Sequence, residues 1–242
     1  MKIEMALDRQ VDKTLTAANR ERNKKHKSSG KLSASMLGLP LQWQILKTVG
    51  ASRKDIDTHT LRKFKRGDHV EEWLVSHMMG VIDTQVFCEY KGAIGYLDVL
   101  TDTQDYDFQQ EKEMPHEIKS VGNFKFNRLL KEPQHTHALQ GCMYALGLKK
   151  EWFILDYVST DDYRIKSFVL EVGDYKDEVD KIIKGYNKAL KDFIENRTIP
   201  EFEPTASWTK NKKYNNYPAF MELTSDEAVK LLEKGGNNES NS

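Results

Sequence analysis

Glu117-Ile118-Lys119 sets a carboxylate and an ammonium two residues apart. If 114–121 is a strand, its side chains alternate, so Glu117 and Lys119 share one face while His116 and Ile118 point to the other. The same tripeptide pattern recurs as Glu89-Tyr90-Lys91; at a hairpin edge it reads as a surface ion pair. Asp98 lies within the apolar run Leu97, Val99 and Leu100, where a carboxylate is expensive to bury unless it is paired or binds a metal. Its plainer reading is an acid on the solvated face of an alternating strand. On the preceding helical stretch, Phe64, Gly67, Glu71, Leu74 and Met78 step by three and four, which puts Glu71 on the inward stripe. His137, Gln140 and Tyr144 share a helix face, which either meets solvent or lines a site; Ala138, Cys142 and Ala145 form the apolar stripe.

Taken in order, these residues resemble the PD-(D/E)xK nuclease superfamily, specifically its RecB-like exonuclease branch of phage and bacterial type. The matches are Leu32-Ser33-Ala34-Ser35, Gly67 with Glu71, Gly95 with Asp98, Glu117 with Lys119, and Gln140 with Tyr144, spanning residues 32–172. The commoner helix residue in that branch is His. Glu71 is the better match by spacing, with His69 as the alternative. Some members carry an iron–sulfur cluster; this chain has only Cys88 and Cys142, and Leu39-Pro40 stands where such members place a cysteine.

The resemblance implies metal-dependent hydrolysis of DNA phosphodiesters, in recombination, repair or phage DNA processing. Mg²⁺, or Mn²⁺ in its place, prefers one or two carboxylates plus waters and substrate phosphate. Asp98 and Glu117 would supply that pair, Glu71 a further oxygen or a second metal position, and the Ile118 carbonyl another ligand. Lys119 would position the water and stabilise developing negative charge. Gln140 and Tyr144 would orient water or phosphate by hydrogen bonds. The resemblance favours an exonuclease. Endonuclease action on the same site and a catalytically silent nucleic-acid-binding module are the alternatives. An unrelated α/β protein, with Glu71, Asp98 and Glu117 apart in space, is the third.

The implied fold is α/β: a restriction-endonuclease-like core with a central mixed sheet flanked by helices. Periodicity supplies the parts. A helix is expected from Ser33 or Ser35 or, because of Pro40, just after it, and a second over 58–80. Strands follow over 85–91, 93–101 and 114–121, with Gly92 in a tight turn. Pro133 opens a helix to Gly147, a hairpin spans 152–160 and 163–172, and a long helix covers 175–196. A basic arm over 1–31, including Lys24, Lys25 and Lys27, reads either as a solvated or disordered segment or as a phosphate contact. The nuclease domain is expected over 32–200 and a C-terminal extension over 201–234. In that extension Trp208, Lys210, Lys212, Lys213 and Tyr214 read either as a single-strand platform, with Ser33 and Ser35 also toward nucleic acid, or as a segment packed on the core. A disordered tail is expected over 235–242.

The 242 residues carry 37 Lys plus Arg and 37 Asp plus Glu, so net charge is zero and bulk charge does not hold a polyanion. Two cysteines exclude a disulfide scaffold or a four-cysteine cluster within one chain. No apolar run spans a bilayer and no secretory signal is present, so no membrane partner is expected and the expected address is the cytoplasm. Besides DNA, a second copy of the chain or a recombination protein is the expected partner.

Overall fold

Lys91 and Gly92 both take positive φ (48° and 86°), the backbone that a two-residue hairpin matched to strand twist requires. They join β2 (Val81–Tyr90) to β3 (Ala93–Asp102), and Tyr90 faces Ala93. The computed structural model describes residues 6–25, 29–104, 111–129, 132–212 and 215–236. Before the hairpin come α1 (Ala6–Lys25), the short strand β1 (Leu32–Ser33), a 3-10 turn (Ala34–Met36), α2 (Leu41–Thr48) and α3 (Thr58–Val75). After it come β4 (Glu113–Val121), α4 (Asn123–Arg128), α5 (His135–Gly147), β5 (Trp152–Ser159), β6 (Ile165–Glu171), α6 (Gly173–Asn196) and α7 (Ser225–Gly236).

The six strands form one mixed sheet in the order β1-β3-β4-β5-β6, with β2 also on β3. β2 and β4 run antiparallel to β3, β5 parallel to β4, and β6 antiparallel to β5. The parallel β4–β5 step needs a crossover, which α4 and α5 provide. β5 is buried on both faces and reads as a near-continuous apolar run, as a covered parallel strand should. On one face Phe153, Leu155 and Tyr157 pack with Trp43 of α2, Leu139 and Met143 of α5 and Tyr186 of α6. On the other, Val70 and Leu74 of α3 close over Val99, Ile118 and Val158. This is the expected fold class: a central mixed sheet with helices on both sides. No helix among the described residues is long and apolar enough to cross a membrane.

Several local expectations change. The basic arm is helical over 6–25: its few apolar side chains, Leu15 and Ala18 among them, line a groove with Leu61 and Phe64 of α3, and Arg62 bonds Asp8 and Asp12 at 2.7 and 2.8 Å. Tertiary contact compensates for a stretch too polar to show a clear stripe. Of its expected phosphate contacts, Lys24 and Lys25 fall in the last turn of α1 with side chains outside the described residues, and Lys27 lies outside them altogether. Ser33 precedes the 3-10 turn without a side-chain cap and pairs with Ile94 in the sheet, and the helix begins just after Pro40, at Leu41. α3 ends at Val75, where Ser76 Oγ and His77 Nδ1 both reach the Trp73 carbonyl at 2.7 Å. The inward stripe of α3 runs through Leu61, Val70 and Leu74; Phe64 is 47% exposed and Glu71 sits half-buried at the stripe's edge. α5 starts at His135, two residues past Pro133, because Gln134 stays extended and donates its N–H to Tyr157 Oη at 3.0 Å. Residues 225–236, partly assigned to the expected tail, form α7; 237–242 lie outside the described residues.

Candidate active site

The site sits where the sheet opens. The β3–β4 ladder runs from Asp102↔Glu113 to Val99↔His116 and stops there. Two residues further along β4, the Ile118 N–H donates to the Asp98 side chain at 2.7 Å instead of to a β3 carbonyl. A carboxylate thus takes the place of a ladder acceptor, and the strands diverge around it. Glu117 and Lys119 project from β4 toward α5, while Ile118 faces α3 in the opposite core. The alternation expected of the strand is what divides them.

Glu117 is 2% exposed and its carboxylate is held from one side only. Lys119 Nζ and Gln140 Nε2 (2.7 Å) both donate to Oε1, while Oε2 is buried with no hydrogen-bond partner. Gln140 Nε2 also lies 3.1 Å from the Tyr144 hydroxyl, so the two α5 residues form one polar unit inside a helix buried almost all round. That polar stripe lines the site and does not face solvent. Gly95 of β3 makes room for it: a Cβ there would lie 2.8 Å from Tyr144 Oη and 3.0 Å from Ala34 Cβ. This contact brings the Ser33–Ser35 segment alongside Tyr144. Ser33 and Ser35 hydroxyls are 3.0 Å apart, with Ser35 exposed.

The charges around the opening do not balance. Burial pushes the Glu117 carboxyl up to about 8; Lys119 opposes this, and Asp98 and Glu71 reinforce it. Burial and then the Asp98 and Asp68 charges push Glu71 up to about 7, against Lys119 and a 3.0 Å hydrogen bond from Gln85 Nε2. Burial also raises Asp98, against Lys119 and the Ile118 N–H. Burial alone would lower Lys119, but Glu117, Asp98 and Glu71 outweigh it and hold the ammonium charged. Three coupled carboxylates face one cation, so the fully ionised site is short of two positive charges. The raised carboxyls favour binding protons, and a divalent cation would supply the missing positive charge instead.

The residues present fit such a cation. The orphaned Glu117 Oε2 is the kind of buried anionic oxygen that needs a partner, and the Asp98 charge acts on Glu117 from the neighbouring strand. Among the described residues no set of three His, Cys, Asp or Glu side chains closes on one point. The carboxylates would fit an open Mg²⁺-type centre, which takes one or two of them and keeps several waters.

His69 stays outside: it is exposed and lies 3.5 Å from Glu72, whereas Glu71 couples to Asp98 and Lys119. His137 turns to Tyr157 Oη at 2.9 Å, and burial with Lys119 and Lys125 nearby lowers its pKa to about 3. Trp208 is 45% exposed with its ring 6.1 Å from Trp43. Lys212 pairs with Glu222 at 2.8 Å, and Lys210 is exposed. Gln42 of α2 bonds the carbonyls of Pro200 and Phe220, so this C-terminal segment is anchored on α2. Lys213 and Tyr214 lie outside the described residues. One contact was missed from sequence, that of Gln85. Counting back from Tyr90↔Ala93 across the hairpin puts Gln85 opposite Asp98, so the turn itself carried the signal.

By comparison with solved structures, the protein matches the crystal structure of SSO0001 with a TM-score of 0.53 at 17% identity, over 89% of this chain and 98% of that one. That likeness is one of fold. Structures of an alkaline exonuclease from Laribacter hongkongensis, alone and in complex with dAMP, match with TM-scores of 0.48 and 0.47. Both are 14% identical, over 76% and 69% of this chain and 97% and 93% of theirs. No protein-family model matches the chain, and no curated protein matches it in sequence.

Proposed function

We propose that this protein is a divalent-metal-dependent deoxyribonuclease that hydrolyses phosphodiester bonds, acting from DNA ends. The observation that carries this reading is the Asp98–Glu117–Lys119 centre at the split between β3 and β4, with one Glu117 oxygen unpartnered. Asp98, Glu117 and the Ile118 carbonyl would hold Mg²⁺ or Mn²⁺, with Glu71 at the flank. The bound ion would polarise the phosphate and lower the pKa of water. The protein's own groups do the rest. Lys119, kept charged by its carboxylate neighbours, donates to the attacking water or to the phosphate oxygen on which charge develops. Gln140, fixed by Tyr144, holds Glu117 Oε1 so that Oε2 stays free for its ligand. No protein nucleophile is needed. The preference for ends follows the exonuclease branch that the motifs resemble.

End-labelled linear and closed-circular DNA, incubated with Mg²⁺, with Mn²⁺ and with EDTA, tests this reading. Metal-dependent loss of linear DNA alone, abolished in Lys119→Ala and Glu117→Ala, is the expected result. Cleavage of the circle makes the protein an endonuclease. DNA binding without hydrolysis under either metal overturns the catalytic reading.

A further inference from the structure

Five non-glycine residues described here have positive φ: Gln85, Lys91, Lys149, Tyr163 and Arg197. Lys91 and Tyr163 belong to the hairpin connections β2–β3 and β5–β6, Lys149 follows α5, and Arg197 ends α6. Gln85 (φ 52°) is different, because it lies inside the paired strand β2 and not in a connection. A side chain in the left-handed region is disfavoured, and strain of this kind persists where the surroundings impose it, often at functional sites. What the strain achieves here is an aim. Gln85 lies opposite Asp98 in the hairpin register, and its Nε2 donates to Glu71 Oε1 at 3.0 Å, while its amide also favours the ionised form of the Asp98 carboxyl.

We infer that Gln85 is a positioning residue whose neutral amide clamps Glu71 of α3 to Asp98 of β3 and so fixes the spacing of the carboxylates that receive the divalent cation. The chemistry suits the task. Two like charges repel, and an NH₂ group offers one proton to each without adding charge of its own. A lysine would compete with the cation, and a glutamate would add a fourth carboxylate to the three already coupled there. Glu71 comes from α3, whereas Asp98 comes from β3 and Glu117 from β4. The inference rests on the proposed nuclease reading for the identity of the cation.

The test compares wild type with Gln85→Gly, which removes both the strain and the clamp, and Gln85→Met, which keeps the bulk and removes the donors. Mn²⁺ affinity is measured without DNA by electron paramagnetic resonance, beside thermal melting and cleavage against Mn²⁺ concentration. Both variants are expected to bind Mn²⁺ about tenfold more weakly and to recover cleavage at high Mn²⁺. Gln85→Gly should also melt a few degrees higher, since glycine relieves the φ penalty. Wild-type Mn²⁺ affinity in both variants overturns the clamp. A wild type that binds Mn²⁺ but cleaves no DNA overturns the nuclease reading, while the affinities still report on Gln85. A wild type that binds no Mn²⁺ overturns both.

Discussion

Glu89-Tyr90-Lys91 and Glu117-Ile118-Lys119 share a pattern and almost nothing else. In the first, Glu89 pairs with Lys31 at 3.0 Å and Lys91 with Asp180 at 2.8 Å, all four side chains wholly or partly in water. Such pairs contribute about 0–1 kcal/mol each and weaken further in salt. In the second, the carboxylate is buried, the ammonium bonds it directly, and two more carboxylates crowd the same opening. The same tripeptide becomes a buried, strongly coupled charge cluster only where the sheet removes water from it and sets other charges against it. β2 lies at the sheet's margin, with only β3 to pair with; β4 lies between β3 and β5 under α5.

The largest expected effect separates the two copies by activity. Lys119→Ala and Glu117→Ala should lower DNA cleavage by about 10³-fold or more, on the scale of removing a transition-state stabiliser. Lys91→Ala and Glu89→Ala should leave it within about twofold. Equal losses from both copies would dissolve the distinction.

Next comes pH-dependent stability. The Glu117 carboxyl is raised from 4.5 to about 8, so between those values the folded protein holds a proton that the unfolded chain releases. The folded state binds more protons, so the metal-free protein loses stability as pH rises through this window. Glu117→Gln removes the ionisation and should stabilise the metal-free protein at pH 8.5 by on the order of 2 kcal/mol, or several degrees in melting temperature. Glu89→Gln should show no such gain. Differential scanning fluorimetry with EDTA reads both.

Gly95→Ala sharpens the packing side of the comparison. Its methyl would meet the Tyr144 ring at 2.7 Å, forcing the residue that supports Gln140 to move. A cost of about 1–3 kcal/mol and a clear fall in cleavage are expected, visible together in chemical denaturation and the DNA assay. The smallest effect is Lys31→Ala, expected below about 1 kcal/mol with unchanged activity.

The strands and the long helices were legible because their periods are plain: Gly92 marked the hairpin, and the run from Trp152 marked a strand buried on both faces. The candidate site residues were legible as an ordered series, and the structure brings Glu71, Asp98, Glu117 and Lys119 to one opening, with Glu71 at the edge of the α3 stripe and not on it as its spacing suggests. α1 was not legible, because its packing on α3 relies on ion pairs from Arg62 rather than on a wide apolar stripe. Of the two helix starts that the sequence offers, the one just after Pro40 is observed, since α2 begins at Leu41; the Ser33 start is replaced by a short strand whose partner lies about 60 residues away. The rotation of α3, which leaves Phe64 out, depends on which side chains β3 and β4 present to it. Gln85 carries no signal by type; only register and backbone conformation single it out.

The central claim is that the buried Glu-x-Lys, with Asp98, is a cation centre and its surface copy is not. Anomalous scattering from crystals grown with Mn²⁺ tests this most directly. A peak within about 2.0–2.6 Å of Asp98 and Glu117 oxygens, and none beside Glu89, is the predicted result. A protein crystallised in saturating Mn²⁺ with no peak between Asp98 and Glu117 would contradict it.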